Sequence, residues 1–148
     1  MAHELPPDLH ALINTCAAQG DALAKKGQYE AAVRAYNEAW EKVLKPKNDW
    51  EASTWLLAAI GDACFLGRFF GSGLEALEYA IHCPGGFGNP FVHLRLGQCH
   101  LEKGNAAEAA EHLTRAYALE GKEIFASEDP KYFAFLQTKI APPAGGEW

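Results

Sequence analysis

Apolar residues recur along this chain at intervals of three and four, the pattern of helices that each bury one face. Leu9, Leu12, Ile13, Cys16 and Leu23 predict a helix from about residue 9 to 26, with Asp8 as its cap and Gly27 at its end. Tyr29, Val33, Tyr36, Trp40, Val43 and Leu44 predict a partner from 29 to 44, stopped by Pro46. Asn48 and Glu51 form a capping pair for a third helix, 49 to 66. Its apolar residues, from Trp50 and Trp55 through Leu56, Leu57 and Ile60 to Cys64, Phe65 and Leu66, wrap nearly the whole circumference, so it is expected to be the most buried element. Gly67 to Gly73 reads as a turn and 74 to 82 as a short helix. After the glycine-rich loop from Cys83 to Gly88, Asn89 as cap and Pro90 in the first turn restart the chain. Gly104 then permits a left-handed helix end, and Asn105 with Glu108 makes another capping pair for a helix continuing past Tyr117. Asp129 and Pro130 open a last helix, 129 to 140, with Tyr132, Phe133, Leu136 and Ile140 on one stripe; residues 141 to 148, including Trp148, read as a frayed tail.

Three parts of this pattern share one grammar. Gly20, Gly61 and Gly97 each stand where a missing side chain lets another helix approach closely. Each is followed by a small residue (Ala32, Gly73, Ala109), then an apolar one (Tyr36, Leu77, Leu113), then an alanine (Ala39, Ala80, Ala116). The register resembles the tetratricopeptide repeat. It departs from that family in having Cys16, Leu57 and His93 where the first-helix aromatic is usual. The closing proline is displaced to Pro46 and Pro84, or replaced by Gly121, and the glycines lie 41 and 36 residues apart. The resemblance implies an all-α fold, a single domain over 1–148. Its three helix-turn-helix repeats, about 9–46, 49–84 and 90–121, would stack as a short right-handed solenoid under a C-terminal capping helix.

The length of 148 residues suits one core, and 49% hydrophobic with 22% charged residues is a globular composition. No apolar run approaches the roughly 18 residues of a membrane span, and the segment from Met1 to Pro7 lacks the basic and apolar regions of a secretory signal, so a cytoplasmic location is expected. The net charge of −6 disfavours nucleic acid and favours a basic protein as partner. Cys16, Cys64, Cys83 and Cys99 lack C-x-x-C spacing and read as reduced thiols, most of them packed within helices.

No catalytic motif is present: there is no G-x-S-x-G, H-E-x-x-H or phosphate-binding loop, and no cofactor is expected. Glu108 and His112, one turn apart, read as a surface pair. His82, Cys83, Cys99 and His100 form a poor zinc set, because adjacent ligands on a helix diverge by about 100°, and no metal is expected there. Phe87, alone among glycines, either fills a gap between repeats or is offered to a partner, with packing favoured.

What remains is recognition by a surface. In the family that the chain resembles, ligands lie in a concave groove lined by the first helix of each repeat. Carried over one position at a time, repeat one offers Asn14, Ala17, Asp21 and Lys25. Repeat two offers Trp55, Ala58, Asp62 and Phe65, and repeat three Phe91, Leu94, Arg95 and Gln98. The expected groove is aromatic in its middle, with Asp21 and Asp62 towards one end and Arg95 towards the other, and suits a ligand bearing Arg or Lys. Members of the family that hold the acidic tails of heat-shock chaperones use a basic, asparagine-rich clamp. Here Ala17 and Asp21 occupy two of its positions and only Arg95 fits.

The strings Trp50-Glu51-Ala52-Ser53-Thr54-Trp55, Cys83-Pro84-Gly85-Gly86, Gly88-Asn89-Pro90-Phe91 and Glu128-Asp129-Pro130-Lys131-Tyr132 are similar to those of small bacterial tetratricopeptide proteins. Members of that group accompany secreted polymorphic toxins as their immunity proteins. The resemblance implies a non-catalytic antitoxin that binds and blocks a basic toxin domain; the alternative is a housekeeping adaptor or co-chaperone.

Overall fold

The protein, described by a computed structural model over residues 4–148, is helical throughout the described residues. Helix α1 (Pro7–Lys25) pairs with α2 (Tyr29–Glu41), α3 (Glu51–Leu66) with α4 (Phe70–Ile81), and α5 (Pro90–Glu102) with α6 (Ala106–Glu120). Helix α7 (Pro130–Gln137) follows, and short 3-10 turns lie at Lys47–Asp49 and Lys122–Phe125. The pairs stack in chain order, α2 on α3 and α4 on α5. Met1–His3, on which part of the N-terminal reading rests, lie outside the described residues.

The repeated glycines set this stack. A Cβ on Gly20 would meet the Tyr36 ring at 2.5 Å, one on Gly61 would strike Leu77, and one on Gly97 would lie 2.6 Å from the Leu113 side chain. Each glycine faces the apolar residue sixteen positions later, so the same close approach closes all three pairs. Turns at Gly27 (φ 75°) and Gly104 (φ 82°) use the left-handed conformation that only glycine adopts freely.

Several boundaries differ from the sequence reading. Pro7 itself is the first residue of α1, which moves Asp8 from the cap into the first turn, where its charge still favours the helix N-terminus. Asn48 belongs to the 3-10 turn, Trp50 precedes α3, and no side chain caps that helix. Asn105 makes no capping bond either; its amide meets His100 Nδ1 at 3.2 Å. Helix α2 ends at Glu41, before Val43 and Pro46, and α4 begins at Phe70, so the expected turn to Gly73 is half helix. Asn89 and Asp129 do cap α5 and α7, accepting from the Phe91 and Lys131 amides at 2.9 Å. Helix α5, not α3, is the most enclosed: Val92 to His100 is an unbroken buried run.

The main core joins α1 to α5 and includes Leu5, just ahead of α1. A second cluster, Leu94, Leu113, Ala116, Phe125, Tyr132 and Leu136, lies where the C-terminal segment covers α5 and α6. Trp148 is no frayed end, since its ring packs edge-on to Tyr117 and Phe133 at 5.8 and 5.7 Å. Cys64, Cys83 and Cys99 are buried free thiols, pushed up to about 11, 11 and 12 by loss of solvation, and so are protonated at neutral pH.

Helix α7 is latched by Glu102, which accepts from the Tyr132 hydroxyl at 2.6 Å and pairs with Lys131 at 2.7 Å. Burial raises the Glu102 carboxyl, but hydrogen bonds from Lys131 and Tyr132 outweigh it and hold it below its ordinary value. A group depressed on folding stabilises above its unfolded pKa, about 4.3, and that stabilisation is lost as pH falls through the folded value. Glu102→Gln should therefore be less stable than wild type at pH 6, with the gap shrinking as pH falls below the unfolded value of about 4.3 and through the depressed folded one. Melting temperatures of the two across that range check this, and a gap constant with pH would refute the latch.

Candidate protein-binding surface

The residues expected to line the groove lie on α1, α3 and α5, but their surroundings differ. On α1, Asn14, Asp21 and Lys25 are exposed and one or two turns apart, while Ala17 is buried beneath them. Asp21 is partly engaged: it accepts from the Tyr36 hydroxyl at 2.6 Å. Burial, that hydrogen bond and the charges of Asp21 and then Asp62 raise the Tyr36 phenol, so the proton stays on tyrosine and the negative charge on Asp21.

On α3, Glu51 and Trp55 share one face. Trp55 is 37% exposed despite its size. It stands with Glu51, Glu4, His10 and Leu5 around an open cavity of about 330 Å³ between the starts of α1 and α3. An apolar surface ringed by carboxylates fits an aliphatic or aromatic side chain with a neighbouring cation. None of Glu4, Leu5, His10 and Glu51 was read from the sequence as a binding residue, Glu51 having been assigned only to a capping pair with Asn48. The signal for Glu51 was its place one helical turn before Trp55; Leu5 and His10 carried none.

The third pair contributes in a different way from expectation. Arg95, expected from the family resemblance at one end of the groove, is only 6% exposed. Its Nη2 lies 2.8 Å from Asp62, its Nη1 2.6 Å from Glu128 and 2.7 Å from Gln98 Oε1. Gln98, fully buried, also donates to Glu128 at 2.7 Å. Phe65 and Phe91 cover the guanidinium, 4.6 and 4.9 Å from their ring centres. Asp62 and Arg95 are therefore one ion pair and not opposite poles. Phe65 and Phe91 are half-buried walls, and Leu94 belongs to the second cluster. The reason is Glu128, which enters from the segment before α7 and closes the face over α5. Two carboxylates on one guanidinium leave this closed end with excess negative charge.

The remaining candidates fall elsewhere. Phe87 is 56% exposed, with one edge on His93 and Arg115 over its ring, so the loop is pinned while the aromatic remains accessible. His112 is buried and turned towards His93 and His100, which corrects the reading of a surface pair with exposed Glu108. Cys83 and Cys99 join no cluster of metal-ligating side chains among the described residues, and no helix there is long and apolar enough to cross a membrane.

With this geometry in place, comparison with known proteins defines the class of fold. The tetratricopeptide repeat family model matches residues 13–41, within the first pair, and 92–123, across the third pair into the turn after it. A crystal structure of the Yersinia enterocolitica type III secretion chaperone SycD, in complex with a peptide of the translocator YopD, is similar with TM-score 0.67 and 15% identity. That match covers 86% of this chain and 92% of the other. A second structure of SycD, described as a translocator chaperone, gives TM-score 0.62 and 16% identity over 85% and 88%. No curated protein matches the sequence. The fold is thus all-α and tetratricopeptide-like, and at such identities the likeness to SycD is one of fold.

Proposed function

We propose that the protein is a non-catalytic protein-binding module that receives a single partner on the open face between α1 and α3. The observation that carries this is the exposed Trp55 beside its cavity, with carboxylates around it, on a face whose other end is closed by Glu128. Tryptophan at the centre of a surface, next to a recess, is the residue type that dominates binding energy in protein complexes. Asp21, Glu51 and Glu4 select a basic partner by charge. Within that class we assign the protein as a cytoplasmic immunity protein that covers a basic toxin domain. The acidic face would engage the basic residues with which such a domain meets its own substrate.

The experiment is capture of partners from the native host through the tagged protein with a high-salt wash. A single stoichiometric partner, toxic alone and harmless when this protein is co-expressed, supports immunity. Several substoichiometric cellular proteins would replace that assignment with an adaptor. An unfolded secretion substrate as partner would make it a chaperone, the role printed for SycD.

Trp55→Ala is expected to weaken the complex by about 2 kcal/mol or more, and Glu108→Ala, on exposed α6 surface, to leave it unchanged. Titration calorimetry of both variants decides the location; equal losses would remove the α1–α3 face from the proposal.

A further inference from the structure

Three imidazoles and a carboxylate meet where α4, α5 and α6 pack. The rings of His93, His112 and His100 form a stack, 5.2 Å between the first two centres and 5.7 Å between the last two. One potential ligand atom each from Glu78, His100 and His112 lie within 4.8 Å of one another. We propose that Glu78, His100 and His112 bind a single divalent ion of the zinc class, with the fourth coordination position open to water.

The ligand set is the first argument. Two imidazoles and one carboxylate on three separate helices are a recurrent zinc set with one open position, and they are held here by backbone already packed. His100 Nε2 stands 3.4 Å from Glu78 Oε1. That is long for a hydrogen bond, yet it matches the edge of a tetrahedron, about 3.3–3.4 Å, around an ion with bonds of about 2.0–2.1 Å. Glu78 is exposed, so its carboxylate can adjust to an ion held by the two buried imidazoles.

The second argument is the tautomer imposed from behind. His93 Nε2 faces the Phe87 carbonyl, which can only accept, so with neutral rings the proton is on Nε2 and Nδ1 is bare. His112 Nδ1 lies 3.0 Å from that bare nitrogen and must donate to it. The remaining nitrogen of His112, Nε2, therefore carries a lone pair. A carbonyl, a histidine and a second histidine thus form a relay that prepares a metal ligand, with His93 taking the place of the carboxylate or carbonyl acceptor usual behind zinc-bound imidazole. His100 is held likewise: the Asn105 side-chain amide meets its Nδ1 at 3.2 Å, and rotating that amide end for end supplies an acceptor for Nδ1–H, leaving Nε2 for the ion.

The site shares no residue with the α1–α3 face. It ties α4 of the second pair to both helices of the third, so an ion there stabilises the stack by mass action.

The test uses the full chain, stripped with a chelator and titrated with zinc chloride by calorimetry, with cobalt(II) absorption as a second readout. Expected are one ion per chain, tetrahedral cobalt bands and a melting temperature that rises with zinc. Glu78→Gln, on an exposed side chain, should weaken affinity by roughly tenfold or more without altering the fold, and His100→Ala by at least as much. His82→Ala, at an exposed histidine outside the cluster, should bind as wild type. Absence of saturable one-to-one binding, or affinity unchanged by Glu78→Gln and His100→Ala, overturns the proposal. So does loss of binding in His82→Ala.

Discussion

Replacing Arg95 with alanine is expected to lower folding stability by about 3–5 kcal/mol, the cost typical of breaking a buried ion pair from one side. The guanidinium is almost fully enclosed and serves five groups at once: Asp62, Glu128, the Gln98 amide oxygen and the facing rings of Phe65 and Phe91. Removing it leaves the Glu128 carboxylate, 14% exposed, with Gln98 as its remaining side-chain donor and the Gln98 oxygen without one. It also opens a void between two aromatic rings, which adds to the loss. Because Glu128 precedes α7, the C-terminal segment should loosen first, so limited proteolysis of Arg95→Ala should cut between Gly121 and Pro130 before the body of the stack. Urea unfolding supplies the magnitude, with the midpoint falling at constant slope. A combined Arg95→Met, Glu128→Leu variant should recover much of the loss, since it removes both charges together and keeps the apolar contacts. A single-variant cost under about 1 kcal/mol would mean that the network is solvated and the closed end of the face is open after all.

That network also marks the limit of what the sequence made legible. The family resemblance assigned Asp62, Phe65, Phe91, Arg95 and Gln98 to first helices, and they lie on α3 and α5. Such an assignment gives a position but does not say what covers it. Glu128 lies 33 residues beyond Arg95, in a stretch with no helical period, and the sequence offers no sign that its carboxylate returns to that face. His112 was misjudged for the same reason. One turn from Glu108 on an amphipathic helix it reads as exposed, but α5 brings His93 and His100 against it.

Caps follow a similar division. Asn89 and Asp129 precede proline, which cannot donate and whose fixed φ starts a helix, so their positions were determined locally. Asn48 and Asn105 had only a glutamate three residues on, and at Asn105 the side chain finds His100 instead. Local signals held where backbone chemistry left no alternative, and failed where a tertiary partner competed.

The glycine register was legible because it records a distance between backbones, and it yields the sharpest stability prediction. Gly97→Ala is expected to destabilise the protein by about 3 kcal/mol, near the upper end for inserting one carbon into a packed interior. The added Cβ would sit 2.6 Å from the Leu113 side chain and 3.1 Å from its backbone nitrogen. A side chain can rotate away, but a backbone atom moves only if α5 and α6 separate along the whole pair. The gain in helix propensity from glycine to alanine, about 1 kcal/mol, is too small to offset this. Gly73→Ala is the matched control. Its equivalents in the other pairs, Ala32 and Ala109, already carry that methyl group, and a Cβ there meets Cys99 Sγ and Cys64 Cβ at 3.2 and 3.3 Å, tight contacts with no backbone atom nearer than 3.6 Å. Its effect should stay within about 1 kcal/mol, with propensity and crowding nearly cancelling. Thermal melts separate the two readily, since about 3 kcal/mol corresponds to roughly 6–12 °C for a chain of this size. If the clash with Leu113 is the cause, Leu113→Ala should cost less in the Gly97→Ala background than in wild type, a coupling of about 1 kcal/mol or more between the two sites. Strict additivity would show that the third pair does not depend on this contact, and the same argument would then fail for Gly20 against Tyr36 and Gly61 against Leu77.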